Sequence, residues 1–326
     1  MRILNRADVA RALTHAQCVD ALAAPMRAVS DGRAIMPLRQ YIDIPGSNGK
    51  FTMMPGYVDA PRTFGFKAIA KYPRAAGSPH GSHVGAVMLF DADAGVPIAL
   101  LDGAEITAIR TAAASALATR LLAREDSRTL AVLGNGTQAR HHISAMQAVR
   151  PIRNIRIWGR NEANATRLLG RLQLTGAVQA AVTTDLDEAV RDADIVCTTT
   201  AATAPFLSAR QLPAGCHLNL VGAAVIEAAE VHADVVARSR FFVDSRESAM
   251  AQAGELANAI RAGLVDETHI AGEIGEVLLG RVDGRQDAQQ ITAYKSLGVA
   301  AQDLAAAAAA LENAGGLSIG TRVDWR

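Results

Sequence analysis

The chain has 326 residues, half of them apolar, and 33 Lys and Arg against 32 Asp and Glu leave a formal charge of +1. That length holds two domains or one large α/β unit, each with its own core. A near-neutral chain without a block of Lys or Arg argues against a nucleic-acid partner, and no apolar run reaches the length of a membrane span.

The N-terminal stretch MRILNRADVARAL has neither the apolar core nor the cleavage site of a signal peptide, so a cytoplasmic protein is expected. Residues 1 to about 112 carry scattered apolar runs (YIDI, FTMMPGYV, FGFKAIA, GAVMLFD) between turn signals such as IPGSNGK and DADAGVP. Asn48-Gly49 between YIDI and the following strand reads as a hairpin turn. A mixed α+β domain is the expectation here. The helix EITAIRTAAASALATRLLA follows.

From about residue 128 the pattern alternates. TLAVLG is a buried strand and TQARHHISAMQAV a helix; NIRIWG is a strand and NEANATRLLGRLQL a helix. VQAAVTT, DIVCTTT, CHLNLVG and RFFVDS read as further strands, with the short helix DLDEAVRDA among them. Such strand–helix units predict a parallel sheet with right-handed crossovers, its strands apolar throughout because helices cover both faces. The last segment, SLGVAAQDLAAAAAALENA, is a strong helix former. Cys18, Cys197 and Cys216 are widely spaced and odd in number, which fits reduced thiols and argues against a disulfide framework or a zinc site. No metal is expected.

Gly134, Gly136 and Ala139 form G-x-G-x-x-A at a strand-to-helix junction. The first glycine permits the tight turn, the second lets backbone approach a pyrophosphate, and the small third residue allows strand and helix to pack closely. N–H groups opening the helix then receive phosphates. Asn135, Thr137 and Gln138 complete this candidate loop. An NAD site commonly ends its second strand in Asp or Glu; this one ends IWGRN, with Gly159 and Arg160 in that place. Arg160 suits a 2′-phosphate, so NADP(H) is preferred over NAD(H). Thr198, Thr199 and Thr200 follow a later strand and are expected to line the cofactor.

The segments MMPGY (53–57), GFK (65–67), LLDGAEITAIRTAAASALA (100–118), DSRTLAVLGNGTQA (126–139), FFVDSRESAMAQAGEL (241–256), GEIGEVLLGR (272–281) and ITAYKSLGVAAQDL (291–304) resemble the ornithine cyclodeaminase/μ-crystallin family in collinear order. The resemblance implies an α/β chain: a Rossmann doubly wound parallel sheet plus a mixed α+β substrate-binding and dimerisation domain. On that basis, residues 1–115 form the substrate-binding and dimerisation domain, completed by 301–326, and 116–300 the Rossmann domain. It also implies a homodimer, and a small amino or imino acid as substrate. The family's α-carboxylate clamp falls on Arg39, Lys67 and Arg110. Arg grips a carboxylate bidentately and Lys adds a point charge. Thr111, Val221, Gly222, Ser296 and Gly298 are implied at the cofactor. Ser82 is implied in the substrate pocket, where His80 and His83 are candidate acids. His141 and His142 read as helix surface or packing residues.

Two departures bear on the reaction. Cyclodeaminases of the family carry an acid where Ala224 stands here, and a second where Thr52 stands; Glu227 and Glu230 are out of register. Cyclodeamination needs a base for a fully protonated diamino acid, and alanine supplies none. Reduction of a preformed cyclic imine needs only a gripped carboxylate, a proton and a hydride. The reading is therefore NAD(P)H-dependent reduction of a cyclic imino acid, Δ1-pyrroline-2-carboxylate to proline or the six-membered homologue, with Lys67 as proton donor. The alternatives are ornithine cyclodeaminase, an alanine dehydrogenase-like enzyme, and a non-catalytic NADPH-dependent binder of small ligands.

Overall fold

The structure, a computed structural model, describes residues 1–74, 78, 81–174 and 177–325, and these divide into two compact units, 1–110 with 298–326, and 111–297. Among the described residues, no helix is long and apolar enough to cross a membrane.

The second unit is built on eight parallel strands. From one edge to the other they are Ile270–Glu273, Arg240–Val243, Thr292–Lys295, His217–Leu220, Ile195–Thr198, Thr129–Leu133, Asn154–Trp158 and Gln179–Thr183. The central strands TLAVL, IVCT and HLNL are buried at every position. Their continuous apolar runs are what a sheet covered on both faces requires. Chain order reverses between Thr129–Leu133 and Ile195–Thr198, which makes a crevice beyond the carboxyl ends of these two strands the expected ligand position. Four-residue Thr292–Lys295 lies near the middle of the sheet, although no apolar run announces it.

The first unit carries a seven-stranded sheet in the order Thr321–Arg322, Arg2–Leu4, Pro97–Asp102, His83–Asp91, Arg62–Lys71, Lys50–Asp59 and Gln40–Asp43. Arg2–Leu4 runs parallel to Pro97–Asp102, and the remaining pairs are antiparallel. The IPGSNGK stretch forms the hairpin loop between Gln40–Asp43 and Lys50–Asp59, closed by the Ile44 N–H donating to the Gly49 carbonyl at 3.1 Å.

The alanine-rich helix Ala300–Gly316 lies on this sheet. Its alanines let the helix axis come close: a Cβ added at Gly56 would lie 2.9 Å from the Ala300 Cβ. Composition that looks monotonous is here a packing requirement, each buried methyl contributing about 0.8 kcal/mol while keeping the helix near the strands. Alternation along Arg62–Lys71 puts Thr63, Gly65, Lys67 and Ile69 on the buried side. A lysine thus occupies a core row.

Candidate active site

Lys67 is 5% exposed, Arg110 is 5% exposed, and Asp303 is fully buried. Asp303 stands in the first turn of Ala300–Gly316, where the helix dipole favours an anion. Its Oδ1 accepts from Arg110 Nε at 2.8 Å, and its Oδ2 lies 2.7 Å from Lys67 Nζ. The neighbouring Gln302 Oε1 accepts from Arg110 Nη1 at 3.0 Å. Arg39 Nη2 donates to the Gly298 carbonyl at 2.8 Å.

Gly298 has φ +80°, and a Cβ there would sit 2.5 Å from Arg110 Nη1, so glycine serves both the turn and the guanidinium beside it. Arg39, Lys67 and Arg110 thus share their surroundings with Gly298, which the sequence reading assigned to the cofactor. Asp303 and Gln302 were missed. A Gln-Asp pair inside an otherwise alanine-rich helix was the available signal.

The electrostatics follow from this crowding. Burial, then the charge of Arg110, pushes the Lys67 ammonium down to about 7; Asp303 opposes the fall and Arg39 adds to it. Burial alone would raise the Asp303 carboxyl, but Arg110 and Lys67 outweigh it and hold it below its ordinary value. Three cations and one carboxylate leave this cluster with an excess of positive charge, which suits an incoming anion.

Ser82 and His83 are exposed, with Ser82 Oγ 2.9 Å from His83 Nδ1, while His80 lies outside the described residues. Burial, then Lys71 and Lys67, lowers the His83 imidazole. Thr52 pairs with Tyr41 and Ile69 across its neighbouring strands.

In the second unit, candidate residues from five neighbouring parallel strands stand at their carboxyl ends. Gly134 follows Thr129–Leu133, Arg160 comes just after Asn154–Trp158, Thr198 closes its strand ahead of Thr199 and Thr200, and Val221 and Gly222 follow His217–Leu220. Ser296 does the same for Thr292–Lys295. Gly134 has φ +128°, and a Cβ there would lie 2.7 Å from the Thr199 carbonyl, so only glycine fits the turn. A Cβ at Gly136 meets open space, and Gly136 opens the 13-residue helix Thr137–Val149 with no side-chain cap.

The helix-opening N–H groups of Thr137 and Gln138 and the open space at Gly136 fit a dinucleotide's pyrophosphate. Ala139 is buried against the sheet, and Asn135 is half-buried. Ser296 Oγ is buried without a partner among the described residues, as fits a group that awaits a ligand. Arg160 is exposed, and Thr111 is buried in the helix Gly103–Leu122.

Behind these ends runs a buried polar chain. Glu230 accepts from Thr198 Oγ1 at 2.7 Å, Gly222 N–H at 2.6 Å, and both the N–H and Oγ1 of Thr200 at 2.7 Å. Its own N–H donates to Glu255 Oε1 at 3.2 Å. Glu255 Oε2 is 2.8 Å from Lys295 Nζ, which donates to the Ala223 carbonyl at 2.5 Å. Glu230, Glu255 and Lys295 are fully buried, and none was singled out from sequence for this role. Glu230, out of register with the family's acid in the sequence, is buried and fully engaged by these donors. Ala224 is half-buried and Glu227 exposed.

His141 and His142 are both buried, so of the two sequence alternatives the structure selects packing. His142 pairs with the Gln138 carbonyl at 2.8 Å and with Ser115 Oγ at 3.0 Å. All three cysteines are buried, and burial pushes each thiol up to about 12. Among the described residues, no group of three or more His, Cys, Asp or Glu is placed to hold a metal ion.

A model of the ornithine cyclodeaminase/mu-crystallin family matches residues 1–317. The chain is 32% identical over 310 residues to the Delta(1)-pyrroline-2-carboxylate reductase of Bacillus cereus, covering 95% of each chain. It is 34% identical over 277 residues to the ketimine reductase mu-crystallin of Mus musculus, covering 85% of this chain and 84% of the relative. The structure of Thermococcus litoralis Delta(1)-pyrroline-2-carboxylate reductase in complex with NADH and L-proline superposes with a TM-score of 0.94 at 30% identity, covering 99% of this chain and 100% of that one.

Proposed function

The chain belongs to the ornithine cyclodeaminase/mu-crystallin family, and on that premise we propose that it reduces a cyclic imino acid, Δ1-pyrroline-2-carboxylate to proline, with NADPH as the preferred reductant. The observation that carries this reading is the buried cluster of Lys67 and Arg110 around Asp303, with Arg39 on the adjoining Gly298 carbonyl. Such a cluster grips one carboxylate. Its one carboxylate, Asp303, is already paired with both cations, so it is not a free base for a substrate that arrives with two ammonium groups. Ala224 and Thr52 supply no acid either, and Glu227 is exposed.

Each residue then has a defined task. Arg110 and Arg39 hold the substrate carboxylate through paired N–H donors, which fixes the ring. Lys67 Nζ gives a proton to the imine nitrogen, so that the carbon beside it becomes electron-poor, and afterwards recovers a proton from water. An ammonium held near neutrality donates readily at working pH, which is what its burial provides. A nicotinamide cofactor supplies the hydride that reaches this carbon.

Gly134, Asn135, Gly136, Thr137, Gln138 and Ala139 are assigned to the pyrophosphate, and Thr111, Thr198, Thr199, Thr200, Val221, Gly222 and Ser296 to the remainder of the cofactor site. Arg160 is assigned to the 2′-phosphate; it is exposed and makes no ion pair among the described residues, so its guanidinium is available.

The test uses two reactions. Purified protein with NADPH and Δ1-pyrroline-2-carboxylate should consume reduced nicotinamide, followed by its absorbance. The same protein with NAD⁺ and ornithine should release no ammonia. Ammonia from ornithine without imine reduction would overturn the reading.

A further inference from the structure

Two cations buried side by side repel each other, and taking each out of water costs several kcal/mol, on the order of what a small domain's stability can bear. Lys67 and Arg110 are nonetheless brought to one place, and the carboxylate between them is the reason they can be. Asp303 takes one contact from each: Arg110 Nε on one oxygen, Lys67 Nζ on the other. Gln302 takes Arg110 Nη1. These contacts engage Nε and Nη1, and Arg110 Nη2 has no partner among the described residues. Among the described residues the ion-pair partner of Lys67 Nζ is Asp303. Position helps as well, since Asp303 lies in the first turn of its helix, where a carboxylate is stabilised.

We propose that Asp303 is the positioning residue of this site: its carboxylate keeps Lys67 as an ammonium beside Arg110 and directs their remaining donors to the substrate carboxylate and imine nitrogen. The proposal rests on the reading of Lys67 and Arg110 as the carboxylate clamp. A merely structural ion pair would hold the helix to the sheet. It would have no bearing on the pH range in which substrate is gripped.

That range can be read because few groups around Lys67 titrate within it. From the helix Gly103–Leu122 comes Arg110, from Ala300–Gly316 comes Asp303, and from the segment before Gln40–Asp43 comes Arg39. His83 and Lys71 stand across the neighbouring strand pair. From His15–Ser30 comes Cys18, which feels both Arg110 and Asp303. The Cys18 thiol is pushed up to about 12, and Asp303 and His83 are both lowered. Among these described groups, Lys67, at about 7, is the one that changes charge near neutrality.

The probe is pyrrole-2-carboxylate, a planar five-membered anion that takes no hydride. Its Kd is measured by calorimetry between about pH 5.5 and about pH 9 on the full chain, with folding checked by far-UV circular dichroism. In the parent protein the affinity should fall as pH rises through about 7; a flat profile overturns the proposal. Asp303→Asn should move that midpoint to lower pH by about one unit or more, because the ammonium loses the carboxylate that opposes its fall. Gln302→Leu should leave the midpoint where it is.

Asp303→Glu keeps the charge but displaces it by a methylene. It should retain the parent midpoint and lose about tenfold in kcat with little change in KM. An unmoved midpoint in Asp303→Asn, or parent kcat in Asp303→Glu, sinks the assignment of Asp303 alone. Unchanged probe affinity in Lys67→Ala sinks the clamp itself, which separates the two failures.

Discussion

At the scale of single residues, the choice of cofactor turns on what ends the second parallel strand. Gly159 and Arg160 stand where an acid would accept from ribose hydroxyls, and a Cβ at Gly159 would come 2.6 Å from Asn135 Nδ2. The strand end thus has no room for a side chain at 159 unless Asn135 moves, and the exposed Arg160 is left as the charged group there. Arg160→Asp should lower the NADPH-to-NADH ratio of kcat/KM by about 10- to 100-fold, the worth of hydrogen bonds to a charged group. An unchanged ratio removes Arg160 from the site.

Arg160 could be singled out from sequence because it replaces a residue type in a known place. Asp303 could not, because a buried carboxylate is defined by its partners, and these lie far away in the chain at residues 67 and 110. Lys67 sits between the two cases. The alternation of its strand puts it in a core row, and a lysine in such a row is a flag that pattern alone can raise.

At the scale of elements, the strands of the Rossmann sheet were legible where they are long, apolar and followed by a helix. Thr292–Lys295 escaped, since four residues ending in a lysine present no long apolar run. That lysine explains the strand's position. Lys295 closes the polar chain through Glu255 to Glu230, which fastens the ends of three strands, at Thr198, at Gly222 and Ala223, and at Lys295 itself. Lys295→Met would leave Glu255 as a buried charge without compensation. It should lower the unfolding free energy by about 3–5 kcal/mol in urea titrations. Replacing Glu255 by Met as well should restore much of that loss, because an apolar pair needs no partner. If the double variant were as unstable as the single one, the ion pair would not be the origin of the cost.

At the scale of the whole molecule, the fold class was legible from alternating strands and helices, whereas the first unit was read only as mixed. Its sheet is assembled from distant pieces: Thr321–Arg322 pairs with Arg2–Leu4, and the helix on the sheet comes from the far end of the chain. Periodicity within a window does not carry such pairings.

Acid sensitivity belongs to this scale too. His217 is fully buried at the start of its strand, with Nδ1 2.9 Å from Thr292 Oγ1 and no hydrogen-bond partner for Nε2 among the described residues. Burial, then Arg285 and Arg150, pushes its imidazole down to about 3 from 6.5. The unfolded chain therefore takes the proton first as pH falls. Stability present above pH 6.5 is lost progressively toward about pH 3, at up to about 1.4 kcal/mol per pH unit. His217→Gln should show a shallower decline in the urea midpoint across that window. Parallel declines would place the sensitivity in other groups.

The placement of Asp303 also sets an order of events during translation. Lys67 and Arg110 leave the ribosome early, the entire second unit, 111–297, follows, and only then does their counter-charge emerge. Until the helix Ala300–Gly316 is made, Lys67 in its core row of the first sheet and Arg110 on the helix Gly103–Leu122 lack that carboxylate, so the site cannot close over both cations without shedding a proton or staying wet.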